Sequence, residues 1–260
     1  MRTKSLWLGL AAAILVKPGA AGPGDNVTGP RQPVLVELFT SEGCSSCPPA
    51  DALLEKLDRD QPIEGAQIIV LSEHVDYWNH DGWVDRFSSA AFTGRQAAYD
   101  QRFGVTGPYT PQMVVDGTAE FNGSDPRKAE SAIRQALAEP RVGIRIRHAA
   151  SGDAAVALDV EPLPNGKIHK ANVYLAYAAD AGTSDVLRGE NHGLRLHHVS
   201  IAADIRQIGS ISMRAGLNKE VPLRAASAPA GSRLIAFVQE SGSGRVWGAA
   251  LYIVPKGEKQ

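Results

Sequence analysis

Two cysteines, Cys44 and Cys47, stand two residues apart in "TSEGCSSCPPADALLEKL", and the chain has no others. Thiols at this spacing can close a disulfide, share a metal ion, or exchange disulfides with another molecule. A stabilising crosslink contributes little here, because so short a loop restricts the unfolded chain less than a 15-residue loop worth about 3 kcal/mol. A structural zinc site takes four ligands, and no second CxxC completes one. Exchange needs one thiol as an anion. The residues from Pro48 onward carry a helical pattern, with Leu53, Leu54 and Leu57 on one face. That places Cys44 at a helix N-terminus, where unpaired amides and the helix dipole favour a thiolate. A free thiol near 8.5 is only a few per cent ionised at neutral pH, whereas CxxC thiols fall at about 3.5 to 7. On this reading Cys44, the more exposed, reacts with a visitor, and Cys47, a turn deeper, resolves the mixed disulfide.

The elements that must hold this pair can be read outward from it. "VLVELF" (34–39) and "AQIIVLSEHVD" (66–76) read as buried strands around the helix, a βαβ unit with a parallel pair. The second half of "YWNHDGWVDRFSSAAFTGRQAAYDQRFGV" reads as helix, and "PQMVVDG" and "TAEFNG" as two short strands about an Asp-Gly turn. "SDPRKAESAIRQALAEP" is a helix with Ser124 or Asp125 as N-cap, Pro126 at its first position and Pro140 as stop. Beyond residue 140 the texture changes. "VGIRIRHAA", "AAVALDVEPL", "KANVYLAYAAD", "LRLHHVSIAADI", "ISMRAGL", "RLIAFVQES" and "VWGAALYIV" read as strands spaced by turn residues, as in an antiparallel sandwich. The expected architecture is therefore an α/β domain over 33–140 followed by an all-β sandwich-like domain over 141–260.

Before residue 33, "MRTKSLWLGLAAAILVKPGAAGPG" has two cations, an apolar run from Leu6 to Val16 and then small residues. This is the layout of a secretory signal peptide over 1–22, cleaved near Ala20 or Ala21. The run is short for a bilayer span of roughly 20 residues. An exported mature protein is expected, periplasmic or secreted, without stable membrane insertion, and its cysteines would meet an oxidising compartment. With 43% hydrophobic and 21% charged residues and a formal net charge of −1, the composition is that of a globular protein. No basic stripe interleaved with aromatics suggests nucleic acid.

"VLVELFTSEGCSSCPPAD" together with "GPYTPQMVVDG" resembles a thioredoxin fold. The resemblance implies an α/β thioredoxin-like domain with Thr110 and Pro111 in the place of the cis-proline that faces the disulfide, the residue before it offering its backbone to a substrate peptide. It also implies a buried acid before the first cysteine as proton acceptor. The nearest match is Glu37, one residue further away than usual, and it can equally be a base or a solvent-facing side chain. Ser45-Ser46 matches neither the reductant nor the oxidant dipeptide, so the direction of electron flow stays open. With "LSEHVDYWNHDGW" and "GENHGLRLHH", the chain is similar to a bacterial family of secreted thioredoxin-like proteins of unknown function. The implied activity is thiol–disulfide exchange on protein or small-molecule thiols, with no organic cofactor. The oligomeric state is open.

Other residues compete for a role. Glu73, His74, Asp76, Trp78 and His80 follow a strand whose C-terminal end should border the disulfide. In the structural reading Trp78 and Trp83 cover the core and the acids, Asp81 among them, cap the next helix. His74 or His80 with both thiolates also suits Cu(I), which would make the protein a copper carrier using Cys44, Cys47 and His74. A third reading is a non-catalytic interaction module with a fixed disulfide. In "RGENHGLRLHHV" adjacent strand positions send His197 and His198 to opposite faces, so at most one joins His192. Glu190 and Asn191 are expected to make backbone hydrogen bonds in a turn there.

Overall fold

The computed structural model describes residues 31–150, 152–164, 168–223 and 231–255. The proposed signal segment lies outside them.

The first half follows the local signals in order. Strand β1 (Gln32–Thr40), helix α1 (Pro48–Asp60) and strand β2 (Ala66–His74) come first, with β1 and β2 parallel and Glu37 opposite Leu71. Helix α2 (Ala90–Phe103) starts at Ser89, whose side chain accepts from the Ala91 amide, and stops at the left-handed Gly104. Strands β3 (Gln112–Val115) and β4 (Ala119–Asn122) turn through Asp116 and Gly117, both at positive φ as the expected Asp-Gly turn requires. Helix α3 (Pro126–Ala136) is capped by Asp125, which accepts from the Arg127 and Lys128 amides. β1 buries both faces: Val34, Val36 and Leu38 meet α1 and α3, while Leu35 lies on the other side.

The second half overturns the expected fold class. β5 (Ile144–Ala149), β6 (Gly152–Val160) and β9 (Leu217–Pro222) form a small sheet of their own. However, β7 (Lys170–Asp185), β8 (Arg195–Ser212), β10 (Arg233–Gln239) and β11 (Val246–Ile253) join the first half in one mixed eight-stranded sheet, ordered β11-β10-β7-β8-β2-β1-β3-β4. The chain is thus mostly β, with three helices against eleven strands among the described residues, and not an α/β thioredoxin-like domain followed by an all-β sandwich. The physical reason lies in β2. Buried on both sides, it offers a second edge, which β8 takes in parallel at Ser72 opposite Ile201. The Ser200 hydroxyl donates to the Val70 carbonyl at 2.6 Å beside that junction. The sheet then bends over itself, so that Leu35, Ile69 and Leu71 share a core with Ile235, Phe237 and Ala249. Arg233 ties the end of α1 to β10, donating to both Asp58 oxygens at 2.7 and 2.9 Å.

Two expected strand boundaries also shift. β7 and β8 form one long hairpin paired from Lys170–Ser212 to Asp185–Arg195, with register shifts after Val173 and Tyr177. "ISMRAGL" is not a strand but the end of β8 and the turn into β9.

Candidate functional site

Cys44 and Cys47 form a disulfide with Cα atoms 5.5 Å apart. Cys47 is the N-cap of α1 and Cys44 precedes it by one turn, its carbonyl accepting from the Cys47 amide at 3.2 Å. The loop before them is tight. The Gly43 amide donates to the Ser41 hydroxyl, and a Cβ on Gly43 would come within 3.1 Å of the Trp78 Cβ, so Trp78 lies directly against this backbone. Neither cysteine is exposed, although the sequence suggested that Cys44 would be. The two are 1% and 0% accessible, because segments distant in sequence close over them.

Three such segments contribute. Thr110–Pro111 is a cis peptide, and the Thr110 carbonyl stands 3.8 Å from the Cys44 Sγ. The Ser46 hydroxyl is 3.3 Å from both that Sγ and that carbonyl. The Trp78 indole N–H donates to the Thr110 hydroxyl at 2.9 Å, which fixes the cis-proline loop. From the β7–β8 hairpin end, the Asn191 side-chain amide donates to the Glu42 and Cys44 carbonyls, both at 2.9 Å, and the Ser45 amide donates to the Glu190 carboxylate at 3.1 Å. Glu190 and Asn191 thus make the backbone hydrogen bonds expected of them, and the backbone they bind is that of the cysteine loop.

Glu37 is placed elsewhere. It is fully buried, but its partners come from α2: Arg95 at 2.6 Å and the Tyr99 hydroxyl, which donates at 2.6 Å. It lies on the sheet face opposite α1, neither free nor facing solvent. Glu73 shares that cluster, 3.5 Å from Arg95. Burial first, then the Glu37 charge, raises its carboxyl well above the usual range. Gln239 of β10 completes the group, donating to the Tyr99 oxygen at 2.7 Å.

A second buried polar cluster flanks the cysteines themselves. Glu42 precedes Cys44 by two residues and Asp51 sits in the first turn of α1, where a carboxylate suits the helix dipole. Between them stands His198 of β8, its Nε2 3.7 Å from Glu42 and its Nδ1 3.6 Å from Asp51. Its ring meets the His74 ring edge-on at 4.6 Å. His74 in turn is bound through Nδ1 to Asp85 at 2.7 Å, and the Glu42 amide donates to the same Asp85 oxygen. The Trp83 indole donates to the other Glu42 oxygen at 2.7 Å. Phe87 seals the histidines, and Gly182 permits it, since a Cβ there would lie 2.8 Å from the Phe87 ring. Burial alone would lower His198, but Asp51, then Glu42 and Asp85, outweigh it and raise its pKa. Burial alone would raise Asp85, but His74 and the Glu42 and Phe87 amides hold it below the usual range.

The remaining candidates disperse. Asp76 accepts from the Thr93 hydroxyl at 2.6 Å, holding α2. His80 and His192 are exposed, and Asp81 stands 3.5 Å from its neighbour His80. His197 and His198 do face opposite ways, at 46% and 1% side-chain accessibility. Among the described residues no group of three or more His, Cys, Asp or Glu is arranged to hold a metal ion. Sequence reasoning passed over Glu42, Asp51 and Asp85. The first two flank the cysteines within the quoted motif, which was their only signal, and nothing local marks Asp85.

No curated protein matches the chain. Among solved structures it is similar to protein AGR_C_4864 from Agrobacterium tumefaciens, with a TM-score of 0.71 and 28% identity, covering 89% of this chain and 99% of that one. It is also similar in fold to HBP35 of Porphyromonas gingivalis, with a TM-score of 0.51 and 16% identity over 89% of this chain and 79% of that one. A family model described as a protein of unknown function, DUF1223, matches residues 35–239, and the chain belongs to that family.

Proposed function

We propose that Cys44–Cys47 is a thiol–disulfide exchange centre of an exported protein, acting on protein or small-molecule thiols and disulfides. One observation carries the reading: Cys44 Sγ stands beside a hydroxyl, that of Ser46 at 3.3 Å, one turn ahead of a helix N-cap. In the reduced protein that hydroxyl, which here donates to the Thr110 carbonyl, would turn its one proton to a Cys44 thiolate, and the amides of the first turn add their dipoles. Because both cysteines are buried, a substrate reaches Cys44 when a covering segment moves, and the 186–194 turn, held to the cysteine loop by Glu190 and Asn191, is one such segment.

The same burial favours a second reading, a fixed disulfide in an interaction module. One titration separates them. Equilibrate the protein across glutathione redox buffers, trap free thiols by alkylation, and read the midpoint potential. An exchange centre titrates above about −300 mV, and a structural disulfide below it. A Cys47→Ser variant should also accumulate mixed disulfides through Cys44. A potential below that limit with no trapped species would leave the strut as the reading.

A further inference from the structure

We propose that the buried Asp51–His198–Glu42 triplet is the proton reservoir of the cysteine pair, a role that rests on the exchange activity proposed above. Closing the disulfide requires a proton acceptor. When Cys44 has attacked a substrate disulfide and expelled one thiolate, Cys47 must lose its proton, form the Cys44–Cys47 bond and release the second substrate thiolate. The protein is oxidised by two electrons and the substrate reduced by two, and the Cys47 proton must go to a nearby base. In the reverse direction Cys47 leaves as a thiolate and the same proton returns. Buried as it is, Cys47 cannot hand that proton to bulk water.

Asp51 is placed to take it. It follows Cys47 by four residues, and its amide donates to the Cys47 carbonyl at 3.1 Å, so both belong to one turn of α1. Its side chain is only 6% exposed, and its Oδ1 has no hydrogen-bond partner. Glu42 Oε1 is likewise buried and unpartnered. His198 faces each carboxylate with a different ring nitrogen, and neither nitrogen has a partner of hydrogen-bond length. The imidazole between them can take up or release a proton as the charge on either carboxylate changes. The groups facing it are Asp51 from α1, Glu42 from the cysteine loop, His74 from β2 and Asp85 from the loop after β2, with the Phe87 ring closing the remaining side. This opposed arrangement favours a proton store over a metal site, since one ion cannot engage both sides of the ring. His198 is thus a positioning residue acting through Asp51.

Two measurements test this. In the first, the disulfide is reduced with dithiothreitol from pH 5 to 9 in the wild type, Asp51→Asn and His198→Gln proteins. Asp51→Asn should slow reduction by about 100-fold, the scale of a general acid or base. His198→Gln should displace the pH dependence of the rate relative to wild type. Profiles that superimpose after scaling overturn the proposal, even if the variants are less stable. In the second, histidine-labelled wild type is titrated by NMR as disulfide and as dithiol, which needs no variant to fold. The His198 resonance should titrate differently in the two redox states, and identical titrations overturn the proposal. Failure of the wild type to exchange thiols at all would instead remove the proposed function.

Discussion

Two buried polar clusters lie close together in this protein, one on each side of the β1–β2 layer, and they are built on different cations. On the α2 side, Glu37 and Glu73 surround the Arg95 guanidinium, with Tyr99 and Gln239 filling its remaining bonds. On the cysteine side, Glu42 and Asp51 surround the His198 imidazole with contacts longer than hydrogen bonds. A guanidinium keeps its proton at every accessible pH, whereas an imidazole gives its proton up near neutrality. The first cluster therefore keeps its cation at every accessible pH, whereas the second can lose its own.

The largest test of that contrast is Arg95→Met. It leaves Glu37 buried without its counter-ion, and equilibrium denaturation should show a loss of about 3–5 kcal/mol. A small loss there would mean the cluster rearranges freely and the contrast is wrong. Removing the crosslink with Cys44→Ser and Cys47→Ser together should cost less, about 2 kcal/mol for so short a loop. A much larger cost would mark the disulfide as structural.

Asn191→Ala deletes two hydrogen bonds to carbonyls of the cysteine loop and should cost about 1–2 kcal/mol. It should also speed reduction by dithiothreitol severalfold, because the hairpin end no longer covers Cys44. An unchanged rate would show that some other element limits access.

Smaller still is the pH dependence of stability. His198 has a raised pKa in the folded state, so its contribution is fully present below the unfolded value near 6.5 and is lost as pH rises through the folded value. Asp85 is lowered, so its contribution is present above the unfolded value near 3.9 and is lost as pH falls through the folded one. Wild type should exceed His198→Gln in stability most clearly near pH 5, with the gap narrowing toward pH 8. A gap that widens with pH would reverse the assigned charge. The smallest effect belongs to Glu190→Gln. That side chain is exposed and accepts one amide bond, so the reduction rate should change less than twofold.

Much of the first half could be read residue by residue. The Asp-Gly turn at 116–117, the Asp125 cap and the apolar runs of β1 and β2 are governed by neighbours a few positions away. The cysteine pair before α1 belongs with them, as does the opposed facing of His197 and His198. The sequence also marked Glu190 and Asn191 as backbone binders. It did not show that their target was the cysteine loop, or that Glu37 would pair with Arg95 on α2.

By itself the sequence determined the local chemistry: a CxxC ahead of a helix and strands with two buried faces. Only the tertiary structure decided that β8 would dock beside β2, which joined strands from both halves of the chain in one eight-stranded sheet and brought His198 between Glu42 and Asp51. Helix and strand periods are written within a few residues, because each is set by short-range sterics and alternation. A parallel pairing between β2 and β8, separated by more than a hundred residues, leaves no such period. It is selected by which buried edge remains unpaired once the local elements have formed.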